Sequence, residues 1–277
     1  MTVSDLPRSR LGIELAKWLA TIQICWAKYM AYKLNFVLLV LAPVLVFFFI
    51  RYSLWSAIYG LDGVSHLQGY DFKGMLAYQV WVMIVGLLGM SFNNMNLAED
   101  IRLGRISAYL IYPFGFWQYH SSSFIALELL QTLVSLLAIS LFAACHWLEI
   151  SSIWHLLNGF GFSLCVALFW FQLNFLIGIL AFWMEETWVL RVMMVTITQF
   201  LSGAIFPLEI FPDVVRQALA YSPFPYLTYV PVKLFMGSYT GSVATAYALV
   251  LLWFAVVLIL SRWLWRQGLK AYTAAGM

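Results

Sequence analysis

Few residues in this chain are of a type and spacing that does covalent chemistry. The four histidines, His66, His120, His146 and His155, lie far apart and show no metal-ligand spacing. The three cysteines, Cys25, Cys145 and Cys165, stand singly in apolar sequence and read as packing residues. No nucleophile is paired with a base, and no G-x-x-x-x-G-K-[ST] loop offers backbone amides to a nucleotide phosphate. Neither a metal nor a bound cofactor is therefore expected in this chain. The charges that remain are suited to polar contacts. Glu99, Asp100, Arg102 and Arg105 crowd one short stretch, interleaved with Ile101, Leu103 and Gly104. Glu185 and Glu186 form an acidic pair at a turn. Glu128 is the one acid well inside an apolar run. A carboxylate there is costly, so it marks either a pathway for a transported species or a hydrogen bond to a neighbouring helix. Gln131, Gln172 and Asn174 are polar positions in the same kind of surroundings. They fit helix–helix contacts, and Gln131 and Asn174 are also candidates for a pathway.

The elements that position these residues are apolar helices. Of 277 residues, 64% are hydrophobic and 10% charged, against about 25% charged in an average soluble domain. Mean hydropathy is +0.88. The sequence predicts a single-domain, all-α polytopic membrane protein with six spans, near residues 34–50, 74–92, 121–144, 154–183, 187–206 and 243–260. The first span is expected to run beyond Arg51, with Pro43 as a kink, and residues 51–73 to contain a loop. Residues 1–33 precede it. Leu11, Leu15, Trp18, Ile22, Trp26 and Tyr29 recur there at helical spacing, opposite Arg10, Glu14, Lys17, Thr21 and Lys28. That pattern predicts an amphipathic helix lying in the membrane interface.

Two interruptions stand out. Residues 94–118 break the apolar pattern with a predicted helix over 96–110. Asn96 and Glu99 have capping-box spacing and Pro113 ends the helix. Residues 207–237 hold Pro207, Pro212, Pro223, Pro225 and Pro231, five of the chain's eight prolines. No continuous helix passes through them. Two short helices are predicted, one from Pro212 and Asp213 and one from Pro231 to Gly237, with Val214, Val215, Ala218 and Leu219 on one face of the first. Each is too short to cross, so the segment reads as a pair of re-entrant half-helices, with Phe211 and the five prolines as its gate.

Lysine and arginine set the orientation. With the N-terminus inside, the inner segments carry Arg8, Arg10, Lys17, Lys28, Lys33, Arg102, Arg105, Arg191, Arg262, Arg266 and Lys270. The outer segments carry Arg51, Lys73, Arg216 and Lys233. Both termini are expected in the cytoplasm, with 262–277 as a basic tail.

Three stretches carry a family resemblance. L-S-G-x-x-x-P-L-x-x-F-P from Leu201, then S-P-F-P from Ser222 and x-P-x-K-x-F-x-G ending at Gly237, resemble the region before the last span of ABC-2 type permeases. Residues 99–118 and 265–276 are similar to the bacterial ABC-2 subfamily once catalogued as a domain of unknown function. The resemblance implies a type V exporter-like architecture in a bacterial inner membrane, with 1–33 as the connecting helix. It implies that 94–118 is the coupling segment, with Glu185 and Glu186 in a second, shorter contact. It also implies a separate ABC ATPase in two copies, which would hold the ATP and Mg. A second permease copy or a related one completes the assembly. Leu201-Ser202-Gly203 is superficially like an ATPase signature but ends an apolar span. Export of a hydrophobic drug, a cationic xenobiotic or a lipid-linked molecule follows from the resemblance. A self-sufficient secondary transporter and a lipid-modifying membrane enzyme are the alternatives. Paired broken helices in both halves would favour the first, and an acid, base or metal cluster the second. Nothing in the sequence points to nucleic acid.

Overall fold

The computed structural model describes residues 10–31, 33–60, 66–67, 69–89, 97–111, 114–150 and 152–272. The chain is built from helices: α1 (Arg10–Ala31), α2 (Lys33–Tyr59), α3 (Phe72–Gly89), α4 (Leu97–Arg102), α5 (Ile106–Ile111), α6 (Phe116–Ala144), α7 (Ile153–Ile179), α8 (Trp188–Leu201), α9 (Asp213–Leu219), α10 (Phe224–Leu227), α11 (Tyr229–Met236) and α12 (Val243–Ala271). Among the described residues, four segments are long and apolar enough to cross a membrane: Phe72–Gly89, Phe116–Ala144, Ile153–Phe182 and Val243–Lys270. Two shorter apolar helices, Val44–Tyr59 and Trp188–Leu201, stand where the first and fifth spans are predicted.

Local chemistry explains where the long helices start. Asp71 Oδ1 accepts from the Gly74 amide at 2.9 Å before α3. Ser152 Oγ accepts from Trp154 N before α7, and Ser242 Oγ from Thr245 N before α12. Each satisfies an amide that has no partner within its helix. α7 is the hub. α12 and α11 pack along it, and α3 and α4 also touch it. Its small residues allow close approach. A Cβ on Gly159 would lie 2.4 Å from Phe235 of α11, and one on Gly178 would lie 2.2 Å from Leu97 of α4.

Several expectations change. α2 runs beyond Arg51, as expected, and continues to Tyr59, so the loop is shorter than 51–73. Its backbone is helical through Pro43. α8 stops at Leu201 instead of 206, because Gly203 turns the chain at φ +82. At 14 residues it is about 21 Å long, shorter than the ~30 Å hydrocarbon core. The basic tail is no separate segment, since α12 runs unbroken to Ala271. The single predicted helix over 96–110 is two, α4 and α5, parted at Gly104, whose φ is +70. Asn96 and Pro113 lie outside the described residues. So do 1–9 and 273–277.

α1 packs along α6 through only part of the predicted stripe. Leu15 is 55% exposed, while Cys25 is buried and Tyr29 shares a 3.0 Å hydrogen bond with Ser123. Trp18 sits edge-on to Phe114 and Trp117. The seam therefore runs through Trp18, Thr21, Ile22, Cys25 and Tyr29, rotated from the apolar stripe toward Thr21.

The proline-rich segment is broken as expected but is not a symmetric pair. It holds a 3-10 turn at Leu208–Ile210, then α9, α10 and α11. α9 begins right after Pro212, yet Val214 is exposed and Leu219 alone of its apolar residues is buried. α11 is buried from Val230 to Phe235 and ends at left-handed Gly237. Pro207, Pro225 and Pro231 are buried, Pro223 and Phe211 half-buried, and Pro212 exposed.

Candidate functional site

Two places combine polar residues with breaks in the helices, one at each end of the bundle. At the first, α4 and α5 form a bent pair rooted by apolar side chains. Leu97, Ile101 and Ile106 are buried with Phe116 of α6 and with Phe175 and Ile179 of α7. Trp265 of α12 stacks on Phe116 at 5.2 Å. Past the bend, Tyr272 donates to the Gly104 carbonyl at 3.3 Å and shares a 3.1 Å hydrogen bond with Ser107. The end of α12 thereby clamps the tip. Burial, and then the nearby Tyr119 hydroxyl, push the Tyr109 hydroxyl up to about 12, so it stays neutral.

The charges face outward. Arg102 pairs with Glu186 at 2.9 Å, joining the predicted segment to the predicted second contact. Glu185 is exposed beside it. Arg105 reaches Asp100 at 3.1 Å and Glu99 at 3.4 Å. The Arg102–Glu186 and Arg105–Glu99 pairs are exposed and contribute little to stability, whereas the Asp100 side chain is 13% exposed and also lies 3.6 Å from His120 Nε2. Ile101, interleaved with these charges in the sequence, does not face outward with them. At 3% exposure it is inside this chain's own cluster. Leu103, at 52%, is the apolar residue left at the tip.

At the second place lies a network the sequence analysis missed. Arg51 donates to Gln79 Oε1 and to the carbonyl of Ala204. Gln79 Nε2 donates to the carbonyl of Ile205 at 3.1 Å, and the Tyr78 hydroxyl to that of Gly203 at 2.7 Å. Three successive carbonyls of unwound backbone are thus held by side chains of α2 and α3. Such carbonyls need partners wherever water is excluded. Gly203 is required for a second reason. A Cβ there would meet Tyr78 and Tyr229 at 3.0–3.1 Å. Beside it, Ser202 Oγ donates to Thr228 Oγ1 at 3.0 Å, and the Tyr229 amide donates to the Ser202 carbonyl.

The same network contains a buried ion pair. Lys233 Nζ is 2.7 Å from Glu209 Oε1, with side chains 9% and 22% exposed. Tyr229 and Tyr70 donate to that oxygen at 2.8 and 3.4 Å. The ammonium lies 4.8 Å from the Tyr70 ring centroid and 5.6 Å from that of Tyr229. Burial, and then Glu209, raise the Tyr70 hydroxyl above its ordinary range, which keeps it a donor. The sequence carries signals for this network. Arg51 interrupts an apolar run, and Glu209 and Lys233 both fall within the proline-rich motifs.

The predicted pathway residues are not gathered at either place. Glu128 is buried on α6 at 7% exposure. Gln131 is half-buried on the same helix, and its Oε1 has no hydrogen-bond partner. Asn174 Nδ2 donates to the Trp170 carbonyl of its own helix, so that amide is already engaged. Among the described residues, no group of three His, Cys, Asp or Glu is placed to hold a metal ion.

A family model described as ABC-2 family transporter protein matches residues 45–276. No curated protein matches the chain.

Proposed function

This chain belongs to the ABC-2 transporter family as its membrane-spanning permease component, and we propose that it is the permease of an ATP-driven exporter. Two such subunits, alike or paired with a related one, enclose a pathway for an amphiphilic, hydrophobic or cationic compound, such as a xenobiotic or a lipid-linked molecule. Two ATPase subunits, carrying ATP and Mg, bind the α4–α5 ends. Both termini lie in the cytoplasm of a bacterial cell, in the inner membrane. Glu128 and Gln131 remain candidates for the pathway, and the proline-rich segment for its gate.

The observation that carries this reading is the seating of the α4–α5 tip. It presents exposed Leu103 and Arg102 outward, while Leu97 and Ile101 root it on α7. A push on the tip is therefore a push on α7. That helix holds α11 through the Gly159–Phe235 contact, and α11 carries Lys233 of the network. A rigid lever from the cytoplasmic tip to the broken segment is what coupling to ATP-driven closure needs. The ligand's differential affinity for the two states sets how far it biases them.

In the complex reconstituted with its ATPase, Leu103→Asp and Gly104→Leu should weaken ATPase binding or substrate-stimulated hydrolysis about tenfold or more. Gly104 adopts a left-handed backbone, so leucine there also distorts the tip. Ile101→Asp should instead lower the yield of folded protein, because its side chain is buried. Normal stimulation in both tip variants removes the coupling role.

Orientation is tested separately. In a Cys145→Ser background, an impermeant thiol reagent should label Gln217→Cys on α9 in intact cells. Lys270→Cys should be labelled only after the membrane is opened. The reverse pattern inverts the topology.

A further inference from the structure

At the end of the bundle opposite α4 and α5, a cavity of about 380 Å³ opens between the start of α3, the turn after α6 and the end of α11. Its walls are of two kinds. Asp71, Lys73 and Glu149 bring charge, while Trp81, Trp147 and Met236 bring apolar, polarisable surface. The apolar walls are fixed in advance. Trp81 stacks on Phe235 at 4.6 Å, and Trp147 leans on Tyr52 at 6.2 Å and Phe48 at 5.1 Å. Asp71 is anchored by the Gly74 amide. Lys73 Nζ and Glu149 Oε1, 2.5 Å apart, close the charged side, and both side chains are mostly exposed. A surface pair of this kind contributes little and opens readily.

The charges select the occupant. A simple cation is drawn by Asp71 and Glu149 but leaves Lys73 without a counter-charge, and a simple anion reaches Lys73 only against two carboxylates. A zwitterion avoids both penalties. Its anionic group pairs with Lys73, and its ammonium pairs with the carboxylates against the face of Trp147. The cavity sits where the apolar helices end, the depth at which tryptophans meet lipid headgroups. A molecule carrying phosphate and ammonium a few ångströms apart at that depth is a phospholipid. We infer that this cavity binds the phosphoethanolamine headgroup of a membrane phospholipid. The inference does not rest on the transport reading, because the site requires no substrate movement.

The test is lipid binding by the delipidated full chain in detergent, read by native mass spectrometry during titration with phosphatidylethanolamine or phosphatidylglycerol. The wild-type chain should retain one phosphatidylethanolamine with a preference of about fivefold or more over phosphatidylglycerol. Glycerophosphoethanolamine, the headgroup without acyl chains, should compete. Lys73→Gln/Glu149→Gln should abolish the preference while leaving thermal unfolding unchanged, since both residues are exposed. Equal retention of the two lipids by the wild type overturns the inference. So does a preference that survives the double substitution. Displacement by tetramethylammonium as effective as by glycerophosphoethanolamine would show a plain cation site and overturn it too.

Discussion

Arg51→Leu should abolish transport and lower thermal stability while leaving the ATPase bound. The guanidinium is the donor to both Gln79 Oε1 and the Ala204 carbonyl. Leucine supplies neither, and water is excluded from a site packed between α2, α3 and the unwound chain. Each buried acceptor left without a donor costs about 1–3 kcal/mol, so two together cost about 2–6 kcal/mol. Gln79 then loses its orientation and with it the hold on Ile205. The segment from Gly203 to Ile205 would no longer be fixed against α3, and α11 follows it through the Tyr229 amide on Ser202. The α4–α5 tip is at the other end of the bundle, so ATPase co-purification should persist. Arg51→Lys should recover only part of the function, because one ammonium does not reproduce the planar fork that reaches two acceptors. The measurements are thermal unfolding of the purified permease and transport per bound ATPase. Wild-type transport by a stable Arg51→Leu protein would mean that the broken segment is held by other contacts.

The long helices and the position of the broken segment were legible because their signals are local. Twenty or so apolar residues, a capping serine or aspartate and a cluster of prolines each act on the chain at their own position. What was illegible is what brings distant residues together. Arg51 looked like the flank of a span, because only the contact of α2 with α3 and with the carbonyl after Gly203 shows its partners. The pairing of Lys233 with Glu209 is hidden by the broken chain between them, through α9 and α10, whose path no periodicity predicts. The α4–α5 stretch was read correctly as a charged helical interruption. Leu97 and Ile101, four residues apart, share the inward face of α4, whereas Leu103 lies two residues further on, past the end of the helix, and stays exposed. The run of α12 beyond the apolar stretch was missed for the opposite reason. Arg262, Arg266 and Lys270 read as a solvated tail, whereas Ser261, Trp265 and Gly268 give the same helix a face that packs beneath them.

Breaking the Lys233–Glu209 pair should be the most damaging single change at the end of the bundle away from α4 and α5, and breaking both halves together should be milder than either. Lys233→Met leaves the Glu209 carboxylate in a site it shares with two phenols and no cation. Glu209→Gln leaves an ammonium 9% exposed with a neutral amide oxygen and two ring faces in place of its counter-charge. Removing one member of a buried pair costs about 3–5 kcal/mol, because the survivor stays desolvated without its counter-charge. In Lys233→Met/Glu209→Gln neither charge remains. The glutamine oxygen still accepts from Tyr229 and Tyr70, and methionine fills the space over the Tyr70 ring. The thermodynamic cycle should therefore show a coupling of about 1–3 kcal/mol, with the double variant more stable than either single one. Function is expected to separate from stability here. The double variant folds but lacks the charged contact that joins α11 to the turn after α8, so substrate-stimulated ATPase activity should stay below half of wild type. Lys233→Arg is no conservative control, since a planar guanidinium does not occupy the position of an ammonium between two rings. Additive destabilisation in the two single variants would show that Lys233 and Glu209 act independently. Full activity in the stable double variant would leave the pair a purely structural role.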